Sequence, residues 1–263
     1  MINEIVKEVR KQGYEVTSAV ISKNGIEKHG IIIGSGVVRP TIYVDDFLKA
    51  GLGIPEIVQE VICIYEKSTD NEMANNINTV MNDLSRWDYA KNYLQLCLQP
   101  KTTENIVKRD FLDLEMYVRV FLPVNEEDKS LGGFKITPEI LHNFQVSEDE
   151  LFSCAISALK YQVSRTSFFG MPLLTNHEKV YGASVICDDV LLEKVAEEFD
   201  SSFVIIPSSI HEVSIMETSS NDVSVLEDFN KMVEEVNEAE VLPEERLSNH
   251  AYLYDREAKV IKY

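Results

Sequence analysis

Two β-rich runs, Tyr14 to Ser22 and Gly25 to Gly34, meet at Lys23-Asn24-Gly25. Asn-Gly supplies the positive φ angles that a two-residue turn needs to match the twist of its strands. Strands joined that tightly run antiparallel, so the chain is committed to at least one antiparallel sheet. An amphipathic pattern precedes the hairpin. Ile5, Val6 and Val9 share one helical face within Ile2 to Gln12, and Gly13 ends it. After the hairpin, Pro40 to Val44 reads as a short strand, and Asp45 to Leu52 and Pro55 to Lys67 as helices. The second helix has proline at its first position and Ile57, Val58, Val61, Ile62 and Tyr65 on its inner stripe. Ser68 to Asp88 reads as a loop followed by a helix carrying Ile77, Val80, Met81 and Leu84.

Leu94 to Leu98 and Leu112 to Leu122 are expected strands, the second with Leu114, Met116, Val118, Val120 and Leu122 in strict alternation. Asn125 to Gly133 is charged and ends in a glycine pair, which marks an internal boundary: an N-terminal sub-domain over 1–124, a linker at 125–133 and an acidic C-terminal sub-domain over 134–263. Beyond it, Thr137-Pro138 and Ser147-Glu148-Asp149-Glu150 open two helices. Val180 to Ile186, Phe203 to Ile206 and Val213 to Met216 read as strands, with helices at Asp189 to Phe199, opened by Asp188, and Asp222 to Val236. Ala251 to Tyr254 and Val260 to Tyr263 form a closing hairpin. Strands arriving in local groups with helices between them predict an α+β fold, with mixed or antiparallel sheets flanked by helices.

Charge narrows the partners. The formal net charge is −19, and the stretch from Asp188 to Glu257 holds 19 acidic and 4 basic residues. A field of that sign repels phosphate backbones and anionic lipid heads, so neither direct nucleic-acid binding nor membrane association is expected. The acids are either a solvated exterior or a surface for a basic protein partner. Cys63, Cys97, Cys154 and Cys187 are far apart in sequence and each lies in an apolar run, as buried thiols do. The chain opens directly on an amphipathic pattern and holds no stretch near 18 apolar residues, which predicts a cytoplasmic protein.

The signatures of phosphate loops, dinucleotide folds, nucleophile elbows and zinc proteases are missing, and no cofactor is expected. Gly30, Gly34 and Gly36 resemble a glycine loop only in composition, since neither a helix nor a lysine follows in place. The densest polar cluster is Ser208-Ser209-Ile210-His211-Glu212. On a strand Ser209 and His211 share a face while Glu212 points away, so a catalytic arrangement would need a distant acid. Asp255 and Glu257, with Lys259, have the spacing of a metal-binding carboxylate pair, and His250 lies close to them in sequence. The same residues equally suit a charged turn. His29, His142 and His177 are scattered without ligand spacing.

Four stretches in order, RDFLDLEMYVRVFL from Arg109, PLLTNHEKVYGASVI from Pro172, FVIIPSSIHEVSI from Phe203 and LSNHAYLYDRE from Leu247, resemble the bacterial family called domain of unknown function 5688. That family is met mainly in anaerobic gut bacteria, often near mobile elements. The resemblance implies no activity or cofactor. It places Asn176, Gly182, Ser208, Ser209, His211, Glu212, His250, Tyr254 and Asp255 inside the shared motifs. Three functions follow from the sequence. The first is a non-catalytic interaction module whose acidic portion engages a basic partner, such as a nucleic-acid-handling or defence protein met by a mobile element or phage. The second is a hydrolase or metal-dependent nuclease using Ser208, Ser209, His211, Glu212, His250, Asp255 and Glu257. The third is a small-ligand-binding module.

Overall fold

The structure is a computed structural model and describes residues 1–35, 39–68, 83–123, 131–159, 163–168 and 171–263. The fold is α+β, and every strand pairing in it is antiparallel. The chain forms two compact units, Met1–Arg86 and Trp87–Tyr263.

In the first unit, helix α1 (Ile2–Lys11) is followed by strands β1 (Val16–Lys23), β2 (Ile26–Ile33) and β3 (Thr41–Tyr43), then helices α2 (Asp45–Lys49) and α3 (Ile54–Ser68). The sheet order is β1-β2-β3. Asn24 and Gly25 both have positive φ, 53° and 78°, and Lys23 faces Ile26 across the turn, the geometry that Asn-Gly predicts. Ile5, Val6 and Val9 of α1, Ile31 and Ile33 of β2, and Ile57, Val58 and Val61 of α3 form one buried core. Most of the helix read within Ser68 to Asp88 falls outside the described residues.

The second unit contains helix α4 (Trp87–Ala90), strands β4 (Leu94–Pro100), β5 (Lys108–Phe111), β6 (Leu114–Pro123) and β7 (Leu131–Lys135), and helices α5 (Pro138–Phe144) and α6 (Glu148–Leu159). Strands β8 (Val163–Phe168) and β9 (Met171–Asn176) follow, then helix α7 (Asp189–Phe199), β10 (Ser202–Ile206), β11 (Val213–Thr218), helix α8 (Leu226–Ala239), β12 (Tyr252–Asp255) and β13 (Val260–Lys262). Two sheets result. In one, β4 pairs with one edge of β6, and β5 and β7 share the other edge. The second runs β13-β12-β10-β11-β9-β8.

The caps read from sequence are in place. The side chains of Thr137 and Asp188 accept the free N–H groups that open α5 and α7, and Ser147 accepts the Glu150 N–H at the start of α6. Strand β10 is buried along its whole length, with a helix on each side. Phe203 stacks on Tyr254 and meets Phe199 of α7, while the alternate residues Val204, Ile206 and Leu253 pack under Leu226 and Val233 of α8.

Cys63, expected to be a buried thiol, is exposed on the outer side of α3, and three further expectations differ from the structure. The segment read as a linker at 125–133 joins β6 to β7, and these strands pair from Pro123↔Leu131 to Arg119↔Lys135; its residues 125–130 lie outside the described set. The division into compact units falls after Arg86 instead. The strand read at Val180–Ile186 is a 3-10 turn over Gly182–Cys187, entered through Tyr181 in the left-handed region. Residues Gly182 to Ile186 are buried with no exposed alternate face, which a 3-10 turn wedged into the unit satisfies. The strand read from Leu112 begins at Leu114, because Leu112 has φ 56° and forms the turn between β5 and β6.

Candidate functional site

The Ser208 to Glu212 segment is a structural seam. Its backbone pairs with the segment around Glu245: Ile210 N–H donates to Glu245 O at 2.9 Å, Ser248 N–H to Pro207 O at 3.1 Å and Leu247 N–H to Ser208 O at 3.4 Å. Ser209 Oγ accepts the His211 backbone N–H at 3.0 Å and makes no bond to the imidazole. The His211 ring is held from behind, since its Nδ1 accepts the Tyr181 N–H at 3.1 Å. That bond places the ring proton on Nε2, which lies 3.7 Å from Glu245 Oε1. The lone pair a general base would use is therefore occupied by a backbone donor. Glu212 joins neither Ser209 nor His211 among the described residues.

The same seam explains Gly182. A Cβ there would lie 2.2 Å from Thr175 Oγ1 and 2.6 Å from both Asn176 N and His211 O. Thr175 Oγ1 donates to His211 O, and the Asn176 side chain closes onto both backbone groups of Val180. Asn176, Gly182 and His211, which share the recognised motifs, thus lock the 3-10 turn to the edge of β9.

His250 belongs to a different cluster. Its Nε2 lies 2.9 Å from Asp113 Oδ2 and its Nδ1 3.1 Å from Ala251 O, so both ring nitrogens face oxygen. Asp113 sits on the β5–β6 turn and also accepts the Tyr252 hydroxyl at 2.8 Å. The ring of Tyr263 stacks on His250 at 5.7 Å. Burial pushes the Tyr252 phenol well above its ordinary range, so it remains a donor to the carboxylate. Asp113 escaped the sequence reading because 137 residues separate it from His250.

Asp255 is at the other end of β12. Its Oδ1 accepts the N–H groups of Glu257 and Ala258, each at 2.9 Å, and its Oδ2 pairs with Lys262. The Ala258 N–H and the Lys262 ammonium hold its carboxyl below the usual range. Both oxygens are engaged in closing the β12–β13 turn, and Glu257 is exposed beside it. Among the described residues no three His, Cys, Asp or Glu side chains are grouped to hold a metal ion. Ser208, Ser209, His211, His250, Asp255 and Glu257 therefore fall into three separate structural arrangements. The Tyr254 ring is buried against Phe203.

A further polar cluster lies on β4 and β6. The alternation of Leu94, Leu96 and Leu98 with Gln95, Cys97 and Gln99 suggests one dry face and one wet face. Both are buried. Helix α6 is on the leucine side, where Arg109 of β5 lies over Phe152 and pairs with Glu148. On the other side Gln95, Cys97, Gln99, Glu115, Tyr117 and Arg119 are all at most 9% exposed. Tyr181 and the 3-10 turn cover part of that face, with Gln95 Nε2 donating to Val180 O at 2.8 Å and Ser184 Oγ to Leu96 O at 2.7 Å. Glu115 accepts Gln99 at 2.7 Å and pairs with Lys108 at 3.0 Å, and Lys135 bridges Gln99 and Glu104. Burial by itself would raise the Glu115 pKa, but the bonds from Gln99, Lys108 and Thr102 outweigh it and the net direction is down.

The acids of α7 and α8 are divided between two faces of the sheet. Those of α7 stand on the Phe203 side of the sheet and those of α8 on the Val204 side. Glu193 pairs with Lys259, and Asp200, just after α7, pairs with Arg256. On α8, Glu227, Asp228, Glu234, Glu235 and Glu238 are exposed and make no ion pair among the described residues. At 3.6 residues per turn these five occupy an arc of about 120°, shared with Lys231.

No helix among the described residues is long and apolar enough to cross a membrane. Neither a curated protein nor a solved structure matches the chain. A family model matches residues 1–171 and 158–256. The chain belongs to the family it describes, the Family of unknown function (DUF5688).

Proposed function

We propose that this protein is a non-catalytic interaction module whose helix α8 receives a basic protein partner. One observation carries the reading: five exposed carboxylates share a single arc of α8 without an ion pair among the described residues. Their mutual repulsion is relieved by a cationic surface, and complementary charge speeds encounter and fixes orientation. The hydrogen bonding of the candidate catalytic groups supports the same reading. His211 has its lone pair on a backbone N–H, Ser209 caps that histidine's own N–H, and Asp255 closes a turn. A nucleic-acid-handling or defence protein met by a mobile element has the basic surface this helix suits.

The test compares two variants of equal charge change. One carries Glu227→Gln, Glu234→Gln and Glu238→Gln on α8; the other carries Asp189→Asn, Glu193→Gln and Glu197→Gln on α7. Affinity capture from the native host is run with each at low and high salt. The α8 variant and high salt each remove the partner, whereas the α7 variant retains it. Equal loss with both variants would reduce the effect to net charge, and a partner retained by the α8 variant would refute the assignment.

A further inference from the structure

Arg119 stands out among the buried charges of the second unit. Among the described residues the polar face of β4 and β6 groups three cations, Lys108, Arg119 and Lys135, with two carboxylates, Glu104 and Glu115. Lys108 pairs with Glu115, and Lys135 with Glu104. Arg119 is 9% exposed and has no ion pair among the described residues. Its neighbours are aromatic: the guanidinium carbon lies 4.4 Å from the Tyr181 ring centre and 5.9 Å from that of Phe121. The guanidinium also hydrogen-bonds the Tyr181 hydroxyl, and a cation–π stack of this kind leaves its remaining edge N–H donors for planar acceptors. A buried cation without a counter-charge is costly, and an oxyanion on its fork offsets that cost. Glu245 lies beside His211 and makes no ion pair with the guanidinium among the described residues.

Two further features belong to the same place. Gln95 faces Arg119 directly across the β4–β6 ladder and is 3% exposed, and its Oε1 is buried without a hydrogen-bond donor. Gly133 on β7 is exposed, and a Cβ there would lie 2.3 Å from Val120 O and 2.6 Å from Arg119 Nη2. Arg119 Nη2 therefore lies beside an exposed backbone position that carries no side chain.

We infer that Arg119, Gln95 and Tyr181 form a subsite for a small oxyanion bearing a neighbouring hydroxyl or ammonium group. The oxyanion takes the guanidinium fork, the adjacent O–H or N–H donates to Gln95 Oε1, and the ligand enters beside Gly133. This site is independent of the α8 surface. A carboxylate and a phosphate satisfy the same fork, so the test separates them.

Thermal shift and calorimetric titration of the full chain use lactate, propionate, glycerol 3-phosphate and inorganic phosphate, with chloride at matched ionic strength as the control. Either lactate or glycerol 3-phosphate gives a saturable rise in Tm beyond chloride and identifies the oxyanion class. It binds more tightly than its hydroxyl-free counterpart, propionate or inorganic phosphate. Arg119→Gln weakens that binding at least about tenfold, the scale of a lost charge-assisted hydrogen bond. Gln95→Leu removes the preference for the hydroxyl while leaving binding of the plain oxyanion. If Arg119→Gln does not fold, Gln95→Leu alone decides, because only a ligand contact changes the selectivity. No saturable shift with any of the four, or selectivity unchanged in Gln95→Leu, overturns the assignment.

Discussion

Removing Asp113 gives the most informative perturbation of the second unit. Its carboxylate joins the β5–β6 turn to the segment leading into β12, through His250 Nε2 at 2.9 Å and the Tyr252 hydroxyl at 2.8 Å. The His250 and Asp113 side chains are 31% and 32% exposed, so solvent screens their pairing and it contributes at most about 1 kcal/mol. Tyr252 is fully buried, and a phenol left without its acceptor costs about 1–3 kcal/mol, reduced here by the nearby Ser248 hydroxyl. Asp113→Ala should therefore destabilise Trp87–Tyr263 by about 2–3 kcal/mol, a Tm fall of very roughly 5–10 °C for a unit of this size. Asp113→Asn keeps an acceptor for the Tyr252 hydroxyl and presents an N–H donor to His250 Nε2, and should cost about half as much. Urea denaturation followed by far-UV circular dichroism measures both, and a double-mutant cycle with Tyr252→Phe isolates the buried bond. Additivity of Asp113→Ala and Tyr252→Phe, or an Asp113→Ala cost below about 0.5 kcal/mol, would show that the connection seen between the two sheets contributes nothing to stability.

Three other outcomes follow from the same geometry. Gly182→Ala places a methyl group against two backbone atoms and the Thr175 hydroxyl, and should cost about 3 kcal/mol or more by the same denaturation assay; a neutral substitution would contradict the seam. Glu115 is held below the ordinary carboxylate range, so its contribution is present above about pH 4.5 and is lost as pH falls through the lowered folded value. Tm measured from about pH 6 to pH 3 should fall less steeply in Glu115→Gln, and parallel curves would exclude the effect. Burial pushes the Cys97 thiol up to about 12, whereas Cys63 is exposed, so a disulfide reagent should modify Cys63 in the native protein and leave Cys97 untouched until unfolding. Equal labelling rates, read by peptide mass spectrometry, would refute the buried placement.

Local chemistry made much of this architecture legible. Asn24-Gly25, Thr137, Ser147 and Asp188 each act within a few residues, and each does in the structure what its side chain predicts. The periodic faces of α1, α3 and α8 point where their apolar residues require. Distant partners decided the rest. Leu112 adopts φ 56° with neither glycine nor asparagine to announce a turn, so the strand read from Leu112 takes in the turn before β6 and leaves β5 unread. Pro172 obscured β9, where it faces Ser167 of β8. The Gln95, Cys97 and Gln99 face of β4 is polar in sequence yet buried, because a segment some 85 residues away covers part of it. The serines, histidines and acids chosen as candidate catalytic groups were real polar clusters, but their spacing could not show that backbone groups already occupy them. Arg119 gave no local signal, since a lone arginine in an alternating strand normally reaches water.

The outward arc of α8 is where the proposed partner docks. Hydrogen–deuterium exchange of the protein alone and with its captured partner locates the footprint directly. Protection concentrated on Leu226–Ala239 and weakened by added salt is the predicted result. Protection centred on His211 or His250, with α8 exchanging at its free rate, would contradict it.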